Sequence, residues 1–212
     1  MALLPGDLAP DFTLESVLDG KVENVTLSSL RGQYVMLLFY PLDFGYVTPT
    51  EFYALEPLLP SLATLPCSVL AVSTEHISSQ LKAQAAPRSQ AGLNMLPIRL
   101  VSDPVGDVAK QYGVYKAEEN ICFRSVFLLD PEGRVISVEK RDFPVGGNMV
   151  ELVRQLRAAA GEEEADLESS KSFPLSEASS GSSDYSRPPP SLEDGAQSVL
   201  TYVNAQSRDM HM

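Results

Sequence analysis

The 212-residue sequence contains no tryptophan, only two cysteines and only two histidines. Two cysteines are too few for the disulfide framework of a small secreted scaffold. The scarcity of cysteine and histidine also argues against a zinc site, which uses the nitrogen and sulfur atoms of these side chains. We therefore expect no bound metal. As a separate expectation, we assign no organic cofactor to this sequence.

Basic residues are also scarce, since 16 lysines and arginines stand against 28 acidic residues, for a net charge of −12. A nucleic acid or an anionic membrane requires a basic surface, so neither is expected as a partner. No apolar run approaches the ~18 residues of a membrane helix, and no signal peptide is visible at the start. The sequence predicts a soluble, cytoplasmic protein with reduced thiols.

The composition changes sharply near Gly161. Residues 162–212 contain ten acidic residues, three basic residues, twelve serines and a run of three prolines. Such a segment buries too little apolar surface to offset the entropy lost on ordering. We therefore predict one folded domain over residues 1–161 and a disordered acidic tail over residues 162–212.

Strand and helix patterns alternate along residues 1–161. Continuous apolar runs predict buried strands, and apolar residues at helical spacing predict helices, one of which prolines at 57 and 60 should kink or interrupt. The predicted strands cover residues 34–40, 67–73, 98–101, 121–129 and 134–139. The predicted helices cover residues 50–65, 76–84 and 149–160. A further predicted helix is capped by Asp103 or Asp107 and ends at Tyr112. This order predicts an α/β fold with a mixed central sheet flanked by helices.

Several segments resemble the typical 2-Cys peroxiredoxins. The most specific is Phe39–Phe44, followed by Val47 and by Pro49-Thr50-Glu51. Further similar segments occur in the same order at Ala9–Phe12, Val69–Ser73, Tyr112–Val114, Phe123–Asp130 and Phe143–Gly146. A collinear match along the whole predicted domain is more specific than one short motif. The resemblance implies a thioredoxin-like fold and assembly into dimers or larger oligomers.

The resemblance implies peroxide reduction by a thiolate at the N-terminus of the first helix, which attacks the O–O bond and becomes a sulfenic acid. The helix N-terminus and a nearby arginine lower the pKa of that thiol. At the matching position this sequence has Thr48. A hydroxyl lacks the acidity and the redox chemistry of a thiol. The sequence thus resembles the family's scaffold without its reacting atom.

The other active-site positions match the family in part. Pro41 and Arg124 are kept, as is Glu51, which in the family orients the arginine. Gly45 replaces a threonine that hydrogen-bonds peroxide in the family, and Gly147 replaces a second arginine. The resolving cysteine of the family, in a Gly-x-Val-Cys-Pro segment, has no counterpart in the tail. These departures favour lost or impaired peroxidase activity.

The two cysteines of the chain lie elsewhere. Cys67 opens a predicted strand and is interpreted as a small buried side chain. Cys122 precedes Arg124 by two residues, and on one strand both side chains would point to the same face, where the guanidinium would lower the thiol's pKa. Cys122 is therefore either a substitute thiol or a core residue, and a disulfide between the two cysteines stays open. His76 is interpreted as a surface residue.

Three hypotheses about function follow. The first is a peroxiredoxin-like protein with lost catalysis, which acts by binding as a homodimer or higher oligomer, or in mixed assemblies with active paralogues. Residues 134–141 and 44–47 would form the contacts. The second is an active thiol peroxidase that uses Cys122 and is recycled by thioredoxin. The third is an ordinary enzyme whose working sequence differs from the printed one at position 48. That hypothesis would leave Gly45 and Gly147 unexplained.

Overall fold

The fold begins with a hairpin of two antiparallel strands, β1 (Thr13–Leu18) and β2 (Lys21–Thr26). Asp19 and Gly20 join them, both with positive φ (50° and 71°), as a type I′ turn requires. The computed structural model describes residues 3–44, 47–141 and 148–162. The sequence pattern did not predict this hairpin because most of β2 is polar and exposed, and the Asp-Gly pair was its only clear signal.

The next part of the chain alternates between strands and helices as predicted. The structure places β3 at Tyr34–Phe39, α1 at Val47–Leu55, α2 at Leu59–Ala63, β4 at Cys67–Ser73, α3 at Ile77–Ala85 and β5 at Arg99–Ser102. A 3₁₀ turn, Glu56–Leu58, separates α1 from α2. Proline cannot donate to the helical hydrogen bonds, so the interruption expected at prolines 57 and 60 is confirmed.

The remaining elements are α4 (Asp107–Gln111), β6 (Tyr115–Lys116), β7 (Ile121–Cys122), β8 (Arg124–Leu129), β9 (Val135–Arg141) and α5 (Met149–Ala159). The predicted capping role of Asp103 is confirmed, because its carboxylate accepts hydrogen bonds from the backbone N–H groups of Asp107 (3.0 Å) and Ala109 (2.8 Å). The predicted single strand over residues 121–129 is wrong. It is divided at Phe123, whose N–H donates to the carbonyl of Val114.

Seven strands form one mixed sheet in the order β2-β1-β5-β4-β3-β8-β9. The central strands β3, β4 and β5 run parallel, and the outer pairs run antiparallel. The short strands β6 and β7 pair with each other in a separate hairpin. The predicted mixed sheet is confirmed, and its parallel centre brings the carboxyl ends of β3 and β4 to one edge.

The sheet separates two apolar cores. Successive side chains of β3 alternate between them: Leu37 and Phe39 pack in the first core, and Met36 and Leu38 pack in the second. In β8, Phe127 and Leu129 belong to the first core, whereas Val126 and Leu128 belong to the second. The second core also contains the buried sides of α1 and α5, so even-numbered residues of β8 face these helices.

Strand β9 forms one edge of this sheet, and the N-terminal segment pairs with its beginning. The N–H of Gly6 donates to the carbonyl of Val135 (2.8 Å), and the N–H of Val135 donates to the carbonyl of Asp7 (2.9 Å). A third bond joins the N–H of Ala9 to the carbonyl of Gly133 (3.0 Å). The segment therefore satisfies backbone groups of Val135 that would otherwise lie at an open edge.

Some predictions concern residues that the structure does not describe. The tail falls outside the described ranges from residue 163 onward, as do Gly45, Gly147 and the segment Phe143–Gly146. Among the helices of the described ranges, none has the length and apolar character needed to cross a membrane. Within the same ranges, no group of three or more histidine, cysteine, aspartate or glutamate side chains could hold a metal ion.

Candidate active site

The structure brings three of the predicted site residues together at the beginning of α1. The Nη2 atom of Arg124 donates a hydrogen bond to Thr48 Oγ1 at 3.1 Å. The Nη1 atom of the same guanidinium forms an ion pair with Glu51. The planar guanidinium carries several N–H donors in fixed directions, so one arginine can bind both partners at once.

The local sequence explains this arrangement. Thr48 is the second residue of α1, and Glu51 follows three residues later, so both side chains lie on one face of the helix. Arg124 begins β8, next to Ser125, which pairs with Phe39 at the end of β3. Pro41 is buried just beyond that end and stops the strand before the turn into α1. The end of β3 and the start of β8 thus meet beneath the helix.

Burial strengthens the electrostatic interactions between the charged groups at this site. Thr48 is fully buried, and the side chains of Arg124 and Glu51 are 4% and 12% exposed. Burial lowers the pKa of Arg124, and the charge of Glu51 opposes that effect, so the guanidinium stays protonated. The N-terminal end of a helix adds partial positive charge nearby. The site can therefore stabilise negative charge at position 48, but a threonine hydroxyl does not ionise there.

A cleft beside Arg124 and Glu51 is lined by two further charged residues that the sequence analysis did not identify. Glu139 and Arg141 of β9 border it together with Arg124, Glu51, Phe52 and Met149. Arg141 lies directly opposite Arg124 in the strand register and forms an ion pair with Glu139 at 2.7 Å. The sequence feature that could have identified them is a pair of opposite charges two residues apart in a strand. This spacing places both side chains on one face of the sheet.

The expectation that Cys122 lies beside Arg124 is wrong. The chain breaks its strand at Phe123, so the two residues belong to different strands and no longer share a face. Cys122 is 1% exposed and packs in the first core, whereas Arg124 faces α1 on the other side of the sheet. Burial, followed by the charge of Asp103, raises the pKa of the Cys122 thiol to about 12. A thiol in this environment is a poor nucleophile at neutral pH.

Two further residues interpreted from the sequence, Cys67 and His76, lie outside the site. Cys67 is partly buried at the edge of the second core, and burial raises its pKa to about 11. Both cysteines are free, and they pack against cores on opposite sides of the sheet, so the disulfide left open by the sequence is absent. His76 is exposed at the start of α3, as expected.

Comparison with known proteins decides the family. Residues 5–138 match the model of the AhpC/TSA family. Peroxiredoxin-2 of Cricetulus griseus is 39% identical over 153 residues, which cover 72% of this chain and 77% of the relative. The chain belongs to the peroxiredoxins. Peroxiredoxin prdx-2 of Caenorhabditis elegans is 37% identical over 153 residues, covering 72% of this peroxiredoxin and 76% of the relative.

Solved structures confirm the thioredoxin-like fold of this peroxiredoxin. The AhpC structure from Enterococcus faecalis has a TM-score of 0.71 and 28% identity, covering 76% of this chain and 94% of that chain. The reduced 2-Cys peroxiredoxin of Plasmodium vivax also gives 0.71, with 27% identity and coverage of 74% and 82%. The family and the fold are therefore those that the sequence motifs indicated.

Proposed function

We propose that this peroxiredoxin has lost peroxide reduction and acts by binding other proteins. The observation that supports the proposal is the hydroxyl of Thr48, which occupies the N-terminal turn of α1 and accepts the hydrogen bond from Arg124. In this proposal Thr48 stands at the position of the peroxidatic cysteine, with Arg124, Glu51, Pro41 and Gly45 in the remaining family positions. In this chain the arginine and its carboxylate partner are arranged around a group that peroxide does not oxidise.

The alternative, catalysis through Cys122, is not favoured. Its thiol lies on the other side of the sheet from Arg124 and has a raised pKa, so it lacks both the positive charge and the thiolate that the reaction needs. Cys67 is likewise partly buried with a raised pKa. With only two cysteines in the sequence, no other thiol can replace the one missing at position 48.

The proposal is tested by peroxide consumption with thioredoxin, thioredoxin reductase and NADPH present. We expect the wild-type protein to match a Cys67→Ser/Cys122→Ser variant, which contains no thiol at all. Peroxide turnover by the wild type that disappears in Cys122→Ser would refute the proposal and restore the substitute-thiol hypothesis. Folding of each variant is checked by circular dichroism, so that a lost activity is not mistaken for a lost fold.

In the proposed binding role, the protein assembles with further copies of itself or with active paralogues. Strand β9 is an edge strand, and an edge strand can pair with another chain through its backbone. The N-terminal segment pairs with this strand at Val135, near its beginning, and the proposed contact uses the part that follows.

We further propose a cytoplasmic location, which is consistent with two free thiols.

Native mass spectrometry tests this assembly. We expect the protein alone to give a dimer or a larger oligomer, and a mixture with an active cytoplasmic 2-Cys peroxiredoxin to give mixed species. The mixture is incubated at several concentrations, because subunit exchange depends on dissociation. Observation of monomers only, both alone and in the mixture, would contradict the binding role.

A further inference from the structure

The loop at residues 92–96, which lies between α3 and β5, contains a methionine that solvent can reach. Of the three methionines that the structure describes, Met36 is fully buried and Met149 is 4% exposed, whereas Met95 is 44% exposed. A dissolved oxidant reaches an exposed thioether more readily than one that is packed in a core. Within the described ranges, Met95 is therefore the methionine most open to oxidation.

The methyl end of Met95 packs against the turn between β1 and β2. A Cβ atom at Gly20 of that turn would lie 3.6 Å from Cε of Met95, which is an ordinary van der Waals distance. The thioether thus covers one side of the glycine, while much of the methionine stays exposed. A contact of this kind depends on the apolar character of the sulfur and its methyl group.

A buried glutamine of α3, Gln84, ties the same turn to the same loop. Its Oε1 atom accepts a hydrogen bond from the backbone N–H of Gly20 (2.8 Å), and its backbone carbonyl accepts one from the N–H of Met95 (2.7 Å). Its Nε2 atom donates to the carbonyl of Ile98 at 3.2 Å. Gly20 and Met95 are held through one residue, so a change in packing at Met95 also affects the N–H of Gly20.

The backbone of the loop is held in place by its neighbours. Asn94 and Met95 both have positive φ (50° and 59°), and methionine rarely adopts this left-handed conformation. Strain of this kind persists where the surrounding structure compensates for it. The N–H groups of Leu93 and Asn94 donate to the carbonyls of Ala83 (2.8 Å) and Ala86 (2.9 Å) at the end of α3. The loop therefore depends on tertiary contacts, of which the packing of Met95 is one.

We propose that Met95 is a site of oxidation by hydroperoxides and that its sulfoxide loosens the loop from the β1–β2 turn. The sulfur lone pair attacks one peroxide oxygen, so that an S–O bond forms and the O–O bond breaks. Sulfur gives up two electrons, and the proton of the attacked oxygen passes to the leaving oxygen. That oxygen departs as water or, from an alkyl hydroperoxide, as an alcohol.

The loosening follows from the polarity of the product. A sulfoxide carries a hydrated oxygen on the atom that packs against Gly20, so the apolar contact is lost. The strained loop then has less to hold it, and the N–H of Gly20 becomes more accessible to solvent. A methionine sulfoxide reductase restores the thioether, since it oxidises a dithiol to a disulfide and releases the oxygen as water.

Peptide mass spectrometry of the full chain after exposure to hydrogen peroxide tests the site. In the folded protein we expect Met95 to form its sulfoxide at least about tenfold faster than Met36 and Met149. In urea the three should react at similar rates, because unfolding removes the difference in exposure. Equal rates at the three methionines of the folded protein would overturn the proposal.

Amide hydrogen exchange, measured by NMR before and after oxidation, tests the loosening. We expect the protection of the Gly20 and Met95 N–H groups to fall by about tenfold in the sulfoxide and to recover after treatment with methionine sulfoxide reductase. Met95→Leu keeps an apolar side chain of similar volume without sulfur, so peroxide should leave its protection unchanged. Unchanged protection of Gly20 in protein oxidised at Met95 would refute the loosening.

Met95→Gln keeps the test available if Met95→Leu does not fold. It places a polar group near the turn, so it should lower the protection of Gly20 without any oxidant. The matched control Val105→Gln changes another exposed apolar residue and should leave that protection unchanged. Oxidation of Met95 consumes one peroxide and persists in the Cys67→Ser/Cys122→Ser variant. Its success or failure is therefore distinguishable from peroxidase turnover.

Discussion

The Thr48→Cys variant is expected to consume peroxide under conditions in which the wild type does not. The substitution places a thiol at the second residue of α1, where Arg124 now donates to the threonine hydroxyl. The guanidinium and the helix N-terminus both favour a thiolate. That thiolate can attack the O–O bond of hydrogen peroxide, which yields a sulfenic acid on the protein and releases water.

The restored rate should stay below that of a double variant, Thr48→Cys/Gly45→Thr. The resemblance assigns to position 45 a threonine that hydrogen-bonds peroxide. A hydrogen bond to a charged group contributes about 1.5–3 kcal/mol, so adding it should raise the rate by about tenfold to a hundredfold. The measurement is single-turnover peroxide loss at a stoichiometric excess of protein, with sulfenic acid formation followed by mass spectrometry.

A Thr48→Ser variant is the matched control, because it keeps the hydroxyl and the approximate volume but adds no sulfur. It should remain as inactive as the wild type. If Thr48→Cys folds and also remains inactive, then the defect extends beyond one atom. The pocket around Arg124 would then be unfit for peroxide, and the proposed correspondence of position 48 would lose its support.

The Arg124→Ala variant is expected to be less stable than the wild type by about 3–5 kcal/mol. The loss arises because the ionised Glu51 would stay 12% exposed without its guanidinium partner, and because the hydroxyl of Thr48 would lose its donor. Typical domains are stable by only about 5–15 kcal/mol, so the variant should be close to unfolding. Urea denaturation followed by circular dichroism gives the free energy of unfolding.

Two comparisons separate this buried pair from an ordinary ion pair. The double variant Arg124→Met/Glu51→Gln removes both charges and should recover most of the lost stability. Arg88→Ala breaks a pair with Glu56 in which both side chains are nearly half exposed, and it should cost about 1 kcal/mol or less. Equal destabilisation by Arg124→Ala and Arg88→Ala would show that burial does not strengthen the Arg124 pair.

The sequence predicted those elements whose apolar pattern is strong. Strand β3 consists of continuous apolar residues, and β4 contains the apolar run Val69–Val72. The interruption between α1 and α2 follows from proline chemistry. The hairpin of β1 and β2 was missed because its second strand is polar and exposed. It is held by pairing with β1 rather than by a buried face of its own.

The sequence predicted only those parts of the site that depend on the spacing of nearby residues or on the family motifs. Thr48 and Glu51 lie on one helical face, and the family motifs placed Arg124 opposite them. The position of Cys122 could not be read from spacing, since a single break at Phe123 moved its side chain to the other side of the sheet. Arg141 was missed because its place in the cleft depends on strand register, which pairs it with Arg124 across two strands.

The pairing of the N-terminal segment with Val135 has a consequence for how the protein is prepared. A chain shortened to begin at Pro10 would lose the three backbone bonds made through Gly6, Asp7 and Ala9. The whole of β9 would then present a longer unpaired edge, and open edges of this kind promote non-native association between chains. Residues 3–9 thus act as an edge cover, and sample heterogeneity in a truncated protein would originate at β9 rather than at the cleft.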